Sequence, residues 1–183
     1  MISISEHLQL QEICLNDQSK LLNLVTRIYT PVYKHLWKKD DCSWYLNKFY
    51  GIENLKKELS EINSEYYFVI FKSQYVGILR INYNKILEGH IKDSNVYLHR
   101  IYLGIEAHGQ GIGKALFDWV EKIAKEKEQS SIWLKAMDTQ QQALHFYTKL
   151  GYKNIGKTRL DFDLIKKDYS GMVIFWKQLN KAM

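Results

Sequence analysis

Three glycines stand between an apolar strand pattern and an amphipathic helix pattern, in the segment His108–Gly113 (His-Gly-Gln-Gly-Ile-Gly). Residues 96–103 are rich in β-branched and aromatic types, which predicts a strand. Apolar residues then recur at helical spacing from Ile112 to Ala124, so a helix should begin near Gly111. Such a turn exposes backbone N–H groups, and a helix N-terminus adds roughly half a positive charge. The segment is therefore predicted to bind an anion, with phosphate or pyrophosphate as the natural ligand.

Two common nucleotide motifs do not fit this turn. A Walker loop would require glycine at His108 and serine or threonine at Ala115, although Gly113 and Lys114 match its end. A dinucleotide fingerprint would require a third glycine where Lys114 or Leu116 stands, and it usually lies near the start of its βαβ unit. This turn lies past the middle of the chain, so neither motif explains it.

What remains is a motif of the form Gln/Arg-x-x-Gly-x-Gly. The run Leu103–Leu116 closely resembles the acetyl-CoA pyrophosphate loop of the GNAT superfamily of N-acetyltransferases. A second block follows about 30 residues later: Ile132–Ala136 predicts a strand, and the helix pattern after it is similar to the family's Asn-x-x-Ala…Tyr…Leu-Gly-Phe signature. That signature is matched here by Gln140, Ala143, Phe146, Tyr147, Leu150, Gly151 and Tyr152. The resemblance extends over roughly residues 66–179.

The chain departs from the family pattern at three positions. His108 stands where glutamine or arginine is usual, Gln140 where asparagine is usual, and Tyr152 replaces phenylalanine. Because most of the anion binding in such a loop comes from backbone N–H groups, we expect histidine at position 108 to weaken anion binding little. Gln140 carries its amide one methylene further out, which leaves its ligand contact open.

The periodicity and the resemblance together predict an α/β (α+β) fold, a GNAT-like mixed, mostly antiparallel central sheet flanked by helices, in one domain over 1–183. The strands are predicted at 8–14, 66–72, 74–83, 96–103, 131–137, 153–162 and 171–179. The helices are predicted from an Asn16/Asp17 cap to about Tyr29, where Pro31 should end the helix, and at 52–62, from about 111, and at 140–150. Lys72-Ser73 should form the turn between two strands, and Gly151 should cap a helix C-terminus.

Composition narrows the class of protein. Two cysteines, Cys14 and Cys42, do not make a disulfide framework, and no signal peptide or membrane span is indicated, so a cytoplasmic protein is expected. The net charge of +6 is compatible with a nucleic-acid partner. The basic residues are scattered, however, and lysine and glutamate alternate over 121–128, which is typical of a solvated helix face. We expect neither a nucleic acid nor a membrane as partner.

The resemblance implies acetyl-CoA as co-substrate, with no metal. Its pantetheine arm would lie along a splayed central strand at Ile101 and Leu103, and Gly109–Lys114 would take the pyrophosphate. The implied cofactor-binding residues are Ile101, Leu103, His108, Gly109, Gln110, Gly111, Ile112, Gly113, Lys114, Gln140, Ala143 and Tyr147.

Acetyl transfer to an amine also needs an acid for the departing thiolate and a base for the ammonium, whose pKa is near 10.4. Tyr147 is the candidate acid, and the alternative is a core aromatic residue. Some family members use a glutamate near the position of Tyr97. His99, two residues along the same strand, is the candidate base, against a structural histidine or a water relay ending on backbone carbonyls.

An aromatic and acidic cluster is the candidate acceptor site. The cluster is made of Trp37, Asp40, Asp41, Trp44 and Tyr45. With Tyr97 it could hold an alkylammonium through cation–π and carboxylate contacts, while the alternative is that the aromatic residues are core. The predicted function is transfer of acetyl to a small amine or polyamine by a direct ternary complex, since no cysteine lies near either motif. The alternatives are a protein N-terminal or lysine acetyltransferase and a non-catalytic acyl-CoA sensor. A homodimer through the sheet edge is a further expectation.

Overall fold

Eight strands form one sheet in the computed structural model, which describes residues 1–87, 89 and 94–179. The order across the sheet is β1-β2-β3-β4-β5-β6-β8-β7. The strands are β1 Ile2–Ser3, β2 Leu8–Glu12, β3 Ser64–Phe71, β4 Gln74–Asn82, β5 Asn95–Leu103, β6 Ser131–Met137, β7 Lys153–Arg159 and β8 Gly171–Gln178.

The α-helices cover both faces of the sheet. They are α1 Gln18–Tyr33, α2 Ser43–Tyr50, α3 Ile52–Leu59, α4 Ile112–Glu126 and α5 Gln141–Lys149. Within the described ranges, no helix is both long and apolar enough to cross a membrane. The mixed α/β fold with a mostly antiparallel sheet, expected from the sequence, is confirmed.

Alternation along the strands divides the core between the two faces. On β3, Tyr67 and Val69 join the cluster under α4 and α5, whereas Tyr66 and Phe68 join the cluster under α1, α2 and α3. This follows from the two-residue period of a strand, which sends successive side chains to opposite faces. Both faces are apolar, so the central strands have continuous hydrophobic runs rather than alternating ones.

The first helix does not end where the sequence predicted. Pro31 lies inside α1, which continues to Tyr33. Proline removes only the N–H that would bond to the carbonyl of Arg27, and Lys34 N–H still donates to Thr30 O at 3.0 Å. The ring of Tyr33 stacks on Tyr29 at 4.6 Å, so packing holds the last turn in place.

Most other elements agree with the sequence to within a few residues. The turn at Lys72-Ser73 is confirmed, with φ of 48° and 63°, and Gly151 follows α5 at φ 85°. The two-residue β1 was not predicted, and α3 stops at Leu59 instead of residue 62. β7 ends at Arg159, after which the chain leaves the sheet and packs on the helices of the α1 face.

Candidate functional site

The sheet divides between β5 and β6. These two strands pair in parallel only at Asn95–Tyr97 and Ser131–Trp133. Beyond that point β5 stays paired with β4 up to Leu103, and β6 stays paired with β8 up to Met137. A cavity of about 290 Å³ opens where the two strands separate, lined by both of them. The splay predicted from the family resemblance is therefore present.

A β-bulge at His99 accounts for the separation. Arg80 of β4 pairs with Arg100 and the next residue, Ile81, pairs with Leu98, so His99 is the extra residue of β5. A bulge bends its strand and increases the local twist. It occurs two residues after Tyr97, the last residue of β5 that pairs with β6.

The glycine turn has the geometry of an anion site. Gly109 and Gly111 have φ of 70° and 73°, and no atom lies within 4 Å of a Cβ built on either. Their need for glycine is therefore conformational rather than steric. Gly111 is the N-cap of α4 and makes no side-chain cap, so the first N–H groups of the helix keep their donors open. At Gly113, by contrast, a Cβ would lie 3.2 Å from Phe146 Cζ, so glycine there allows α4 to pack closely on α5.

The predicted cofactor residues fall into two groups in the structure. Ile101, Gln140, Ala143 and Tyr147 line the cavity. Leu103 ends β5 beyond the lining, and the whole turn His108–Lys114 also lies outside it, at the N-terminus of α4. The 3₁₀ turn Ile105–Ala107 lies between the end of β5 and the glycine turn, so the two groups are close along the chain.

Tyr147 lies on the α4 and α5 side of the cavity. Its ring packs against Phe117 at 5.6 Å and Phe175 at 5.5 Å between centroids. Burial raises the pKa of the Tyr147 phenol above its ordinary value of 10.0, so the group is protonated throughout the neutral range. The side chain is half-buried, packs against the core under α4 and α5, and lines the cavity.

His99 lines the cavity as a neutral side chain. Its Nδ1 is in hydrogen-bond contact with Nη1 of Arg80. A guanidinium only donates, so Nδ1 must accept and the ring proton must be on Nε2. Burial, then the positive charges of Arg100 and Arg80, lower the pKa of His99 to about 2. These contacts remove the basicity that a general base needs, so the structure does not support the base role expected for His99.

Two buried arginines beneath the bulge were not found by the sequence reasoning. Arg100 Nη1 lies 2.6 Å from Glu58 Oε2, and Arg80 Nη2 lies 2.7 Å from Glu61 Oε2. Both arginines are buried and face each other across β4 and β5. Their sequence signal is an arginine inside each of two otherwise apolar strands, which implies a buried partner. This ionic cluster fixes the strand geometry on both sides of His99.

Comparison with known proteins identifies the chain at family level. The model of the acetyltransferase (GNAT) family matches residues 20–152. The chain belongs to this family. An uncharacterized N-acetyltransferase from the pepI 3′ region of Lactobacillus delbrueckii subsp. lactis is 25% identical over 112 residues, which are 61% of this chain and 65% of that relative. The chain thus spans less than two thirds of that relative's length.

Solved structures share the GNAT fold. The PaiA N-acetyltransferase of Thermoplasma acidophilum, in complex with coenzyme A, has a TM-score of 0.70 at 20% identity, over 93% of this chain and 98% of its own. RimL, a ribosomal L7/L12 alpha-N-protein acetyltransferase in complex with coenzyme A, has a TM-score of 0.69 at 14% identity, over 97% of each chain. At these identities the likeness concerns the fold alone.

Aromatic side chains form the other end of the cavity in this GNAT chain. Tyr29 stacks on Tyr33 at 4.6 Å and on Tyr45 at 5.0 Å, and its edge meets Tyr102 at 5.6 Å. Burial raises the pKa of Tyr33 to about 12, so its phenol is uncharged at neutral pH. Phe49 and Phe162 complete this wall. We call this set (Tyr29, Tyr33, Tyr45, Tyr102, Phe49 and Phe162) the aromatic wall.

The predicted acceptor cluster does not line the cavity, except for Tyr45 and Tyr97. Trp37 is buried behind the aromatic wall, where its Nε1 donates to Tyr29 Oη at 3.2 Å, so it is core. Asp40 is exposed and pairs with Lys166 at 2.7 Å, which lowers the pKa of its carboxyl. Asp41 accepts from the N–H of Ser43 at 2.9 Å at the start of α2. Neither carboxylate is among the residues that line the cavity.

Proposed function

We propose that this protein is an acetyl-CoA-dependent N-acetyltransferase that transfers the acetyl group directly to a small primary amine. One observation carries the proposal: an uncapped glycine turn at the start of α4 follows, after one 3₁₀ turn, the strand β5 that separates from β6. The turn offers N–H groups to a pyrophosphate. The gap offers unpaired strand edges to an extended, amide-containing arm such as pantetheine.

The two ends of acetyl-CoA have separate contacts in this arrangement. Gly109–Lys114, with His108, hold the pyrophosphate. Ile101 and Leu103 offer the backbone of β5 to the pantetheine arm, and Gln140 and Ala143 border it from α5. The thioester then lies in the cavity between Tyr147 and the aromatic wall, which line it from opposite sides.

The reaction requires two proton movements. The amine nitrogen attacks the thioester carbonyl, the C–S bond breaks, and the sulfur takes a proton. Tyr147 lines the cavity with a protonated phenol and is the donor; solvent returns its proton. The proton of the ammonium leaves through a water relay that ends on backbone carbonyls, because His99 is too weak a base. Neither cysteine lines the cavity, which supports direct transfer.

The size of the cavity, about 290 Å³, supports a small acceptor. Asp40 and Asp41, which could have balanced the charge of a polyamine, lie outside it. Among the lining residues in the described part of the chain there is no aspartate or glutamate to balance several ammonium charges. The acceptor is therefore proposed to be a small amine of another kind.

The test combines binding and turnover. Gly111→Ala places a side chain at φ 73° in open space, while Gly89→Ala does the same at φ 76° away from the turn and is the matched control. A left-handed alanine costs about 1–2 kcal/mol, so the free turn of Gly111→Ala should relax out of this conformation and return to it on binding. We expect acetyl-CoA to bind this variant roughly tenfold more weakly, with the control unchanged. Titration calorimetry measures this, and release of the CoA thiol with an amine panel measures turnover.

Each result has a clear meaning. Tight binding by all three proteins with no thiol release from any amine would favour the sensor alternative. Equal affinity of the two glycine variants would show that the turn does not hold the cofactor. Absence of any binding would refute the proposal as a whole.

A further inference from the structure

The acceptor end of the cavity carries positive charge. Three of its lining residues, Arg100, Lys135 and Arg159, are cationic, and the described lining has no carboxylate. We propose that the acceptor amine itself carries a carboxylate, and that Arg159 binds it. This inference rests on the proposed acyl transfer and names the class of substrate.

Arg159 is placed to reach a substrate. It is the last residue of β7, and its neighbours in sequence, Thr158 and Leu160, also line the cavity. The residue is exposed, and in the described structure its guanidinium has no ion-pair partner within 4.0 Å. A guanidinium matches a carboxylate in shape and can donate two parallel hydrogen bonds to it.

Asp138, the acidic side chain beside the cross-strand partner of Arg159, does not take this role. Asp138 lies against Gly171, the cross-strand partner of Arg159 on β8. It is outside the cavity lining and does not pair with Arg159 in the described contacts. The substrate carboxylate therefore has no competitor inside the cavity.

The other polar groups of the lining agree with this charge. Arg100 is already neutralised by Glu58 at 2.6 Å, so it contributes little free charge. His99 is neutral, accepts from Arg80 and keeps its proton on Nε2, so its free ring nitrogen can only donate. Lys135 is exposed at the rim and adds a second cation. Donors and cations favour a ligand with acceptor oxygens, and a bare diamine offers none.

The aromatic wall indicates the side chain of the proposed acceptor. Its rings bring a large apolar surface to the same cavity as Arg159. Phe162, three residues after Arg159, stacks on the buried Trp37 at 6.1 Å and belongs to this wall. An apolar or aromatic side chain fits against these rings while the carboxylate meets Arg159. The class is thus an α-amino acid with a large apolar side chain.

The experiment uses acceptors that differ only in the carboxylate. Phenylalanine is compared with phenethylamine, and leucine with isoamylamine, by thiol release from acetyl-CoA. We expect kcat/KM to be at least tenfold higher for each amino acid than for its decarboxylated counterpart. Spermidine and an N-terminal peptide complete the panel.

Variants then assign the effect to one side chain. Arg159→Gln should abolish the preference, by raising KM for phenylalanine at least tenfold while leaving phenethylamine unchanged. Arg159→Lys should restore part of it. Lys157→Gln is the matched control, because it removes the same charge from the same strand at an exposed residue outside the lining, and it should behave as wild type.

The carboxylate preference and the proposed acyl transfer can fail separately. Turnover of phenethylamine, spermidine or the peptide at a rate equal to or above that of the amino acids would overturn the carboxylate proposal and leave acyl transfer standing. A preference for amino acids that survives Arg159→Gln would overturn the role of Arg159. No thiol release with any acceptor would overturn both this inference and the catalytic part of the proposed function.

Discussion

Glu58→Gln tests whether the buried ionic cluster holds the bulged strand. Glu58 Oε2 lies 2.6 Å from Arg100 Nη1 and 3.8 Å from Arg80 Nε, and all three residues are buried. The amide keeps the shape of the carboxylate but removes its charge. Among the described ion pairs, Arg80 would then keep Glu61, and Arg100, which faces it across β4 and β5, would have lost its partner.

The expected loss of stability is large. Removing one partner of a buried ion pair costs about 3–5 kcal/mol, because a charge is left in the interior without compensation. For a domain of this size that lowers Tm by roughly 6–20 °C. Glu61→Gln is the control: that side chain is 38% exposed, so water replaces the lost contact and the cost should be about 1 kcal/mol.

Urea denaturation and thermal melting of the two variants give the comparison. A second check follows from the same reasoning: Glu58→Leu combined with Arg100→Met removes both charges and should recover most of the stability that either single change loses. Equal destabilisation by Glu58→Gln and Glu61→Gln would refute the view that burial makes Glu58 the critical partner.

Three further changes have defined outcomes. Tyr147→Phe should lower kcat by about 10²–10⁴ with unchanged acetyl-CoA affinity, measured by thiol release and calorimetry, and a fall in affinity alone would show a packing role instead. Burial and the nearby arginines lower the pKa of His99 to about 2, against 6.5 when unfolded, so below pH 6.5 the unfolded chain binds the proton and wild type loses stability. Between pH 7.5 and 4.5, His99→Gln should therefore lose about 3 kcal/mol less than wild type in urea titrations, and parallel curves would contradict the neutral assignment. Gly77→Ala should destabilise the protein by about 2 kcal/mol or more, because a Cβ there would overlap the carbonyl oxygen of Tyr102 across β4 and β5; an unchanged urea midpoint would exclude that contact.

Local patterns made the glycine turn and the order of strands and helices predictable. The chemistry of Gly109 and Gly111 depends on backbone conformation, which the sequence encodes within a few residues. The extent of the splay between β5 and β6 is not encoded locally. It depends on the register of β4 against β5, where His99 is the extra residue. That same pairing brings His99 against Arg80 and removes its basicity, which sequence spacing alone could not reveal.

The acceptor cluster was misplaced for a different reason. Trp37, Asp40 and Asp41 are close in sequence, but Trp37 packs inward while both carboxylates face solvent. Proximity in sequence does not predict the direction of side chains where the chain follows short 3₁₀ turns. Asp40 also has a φ of 52°. Arg159 carried no motif at all and became a candidate only when the cavity wall was known.

The parallel junction of β5 and β6 gives the sheet a seam. Three residue pairs join one antiparallel ribbon, β1 to β5, to another, β6, β8 and β7, and each ribbon keeps its own ladder when the seam opens. Sub-global opening should therefore follow this line, and amides 95–97 and 131–133 should exchange with deuterium sooner than those deep in either ribbon. A cofactor bound in the gap contacts both ribbons and stabilises the seam. Cofactor binding should therefore slow deuterium exchange of the seam amides before any product is formed.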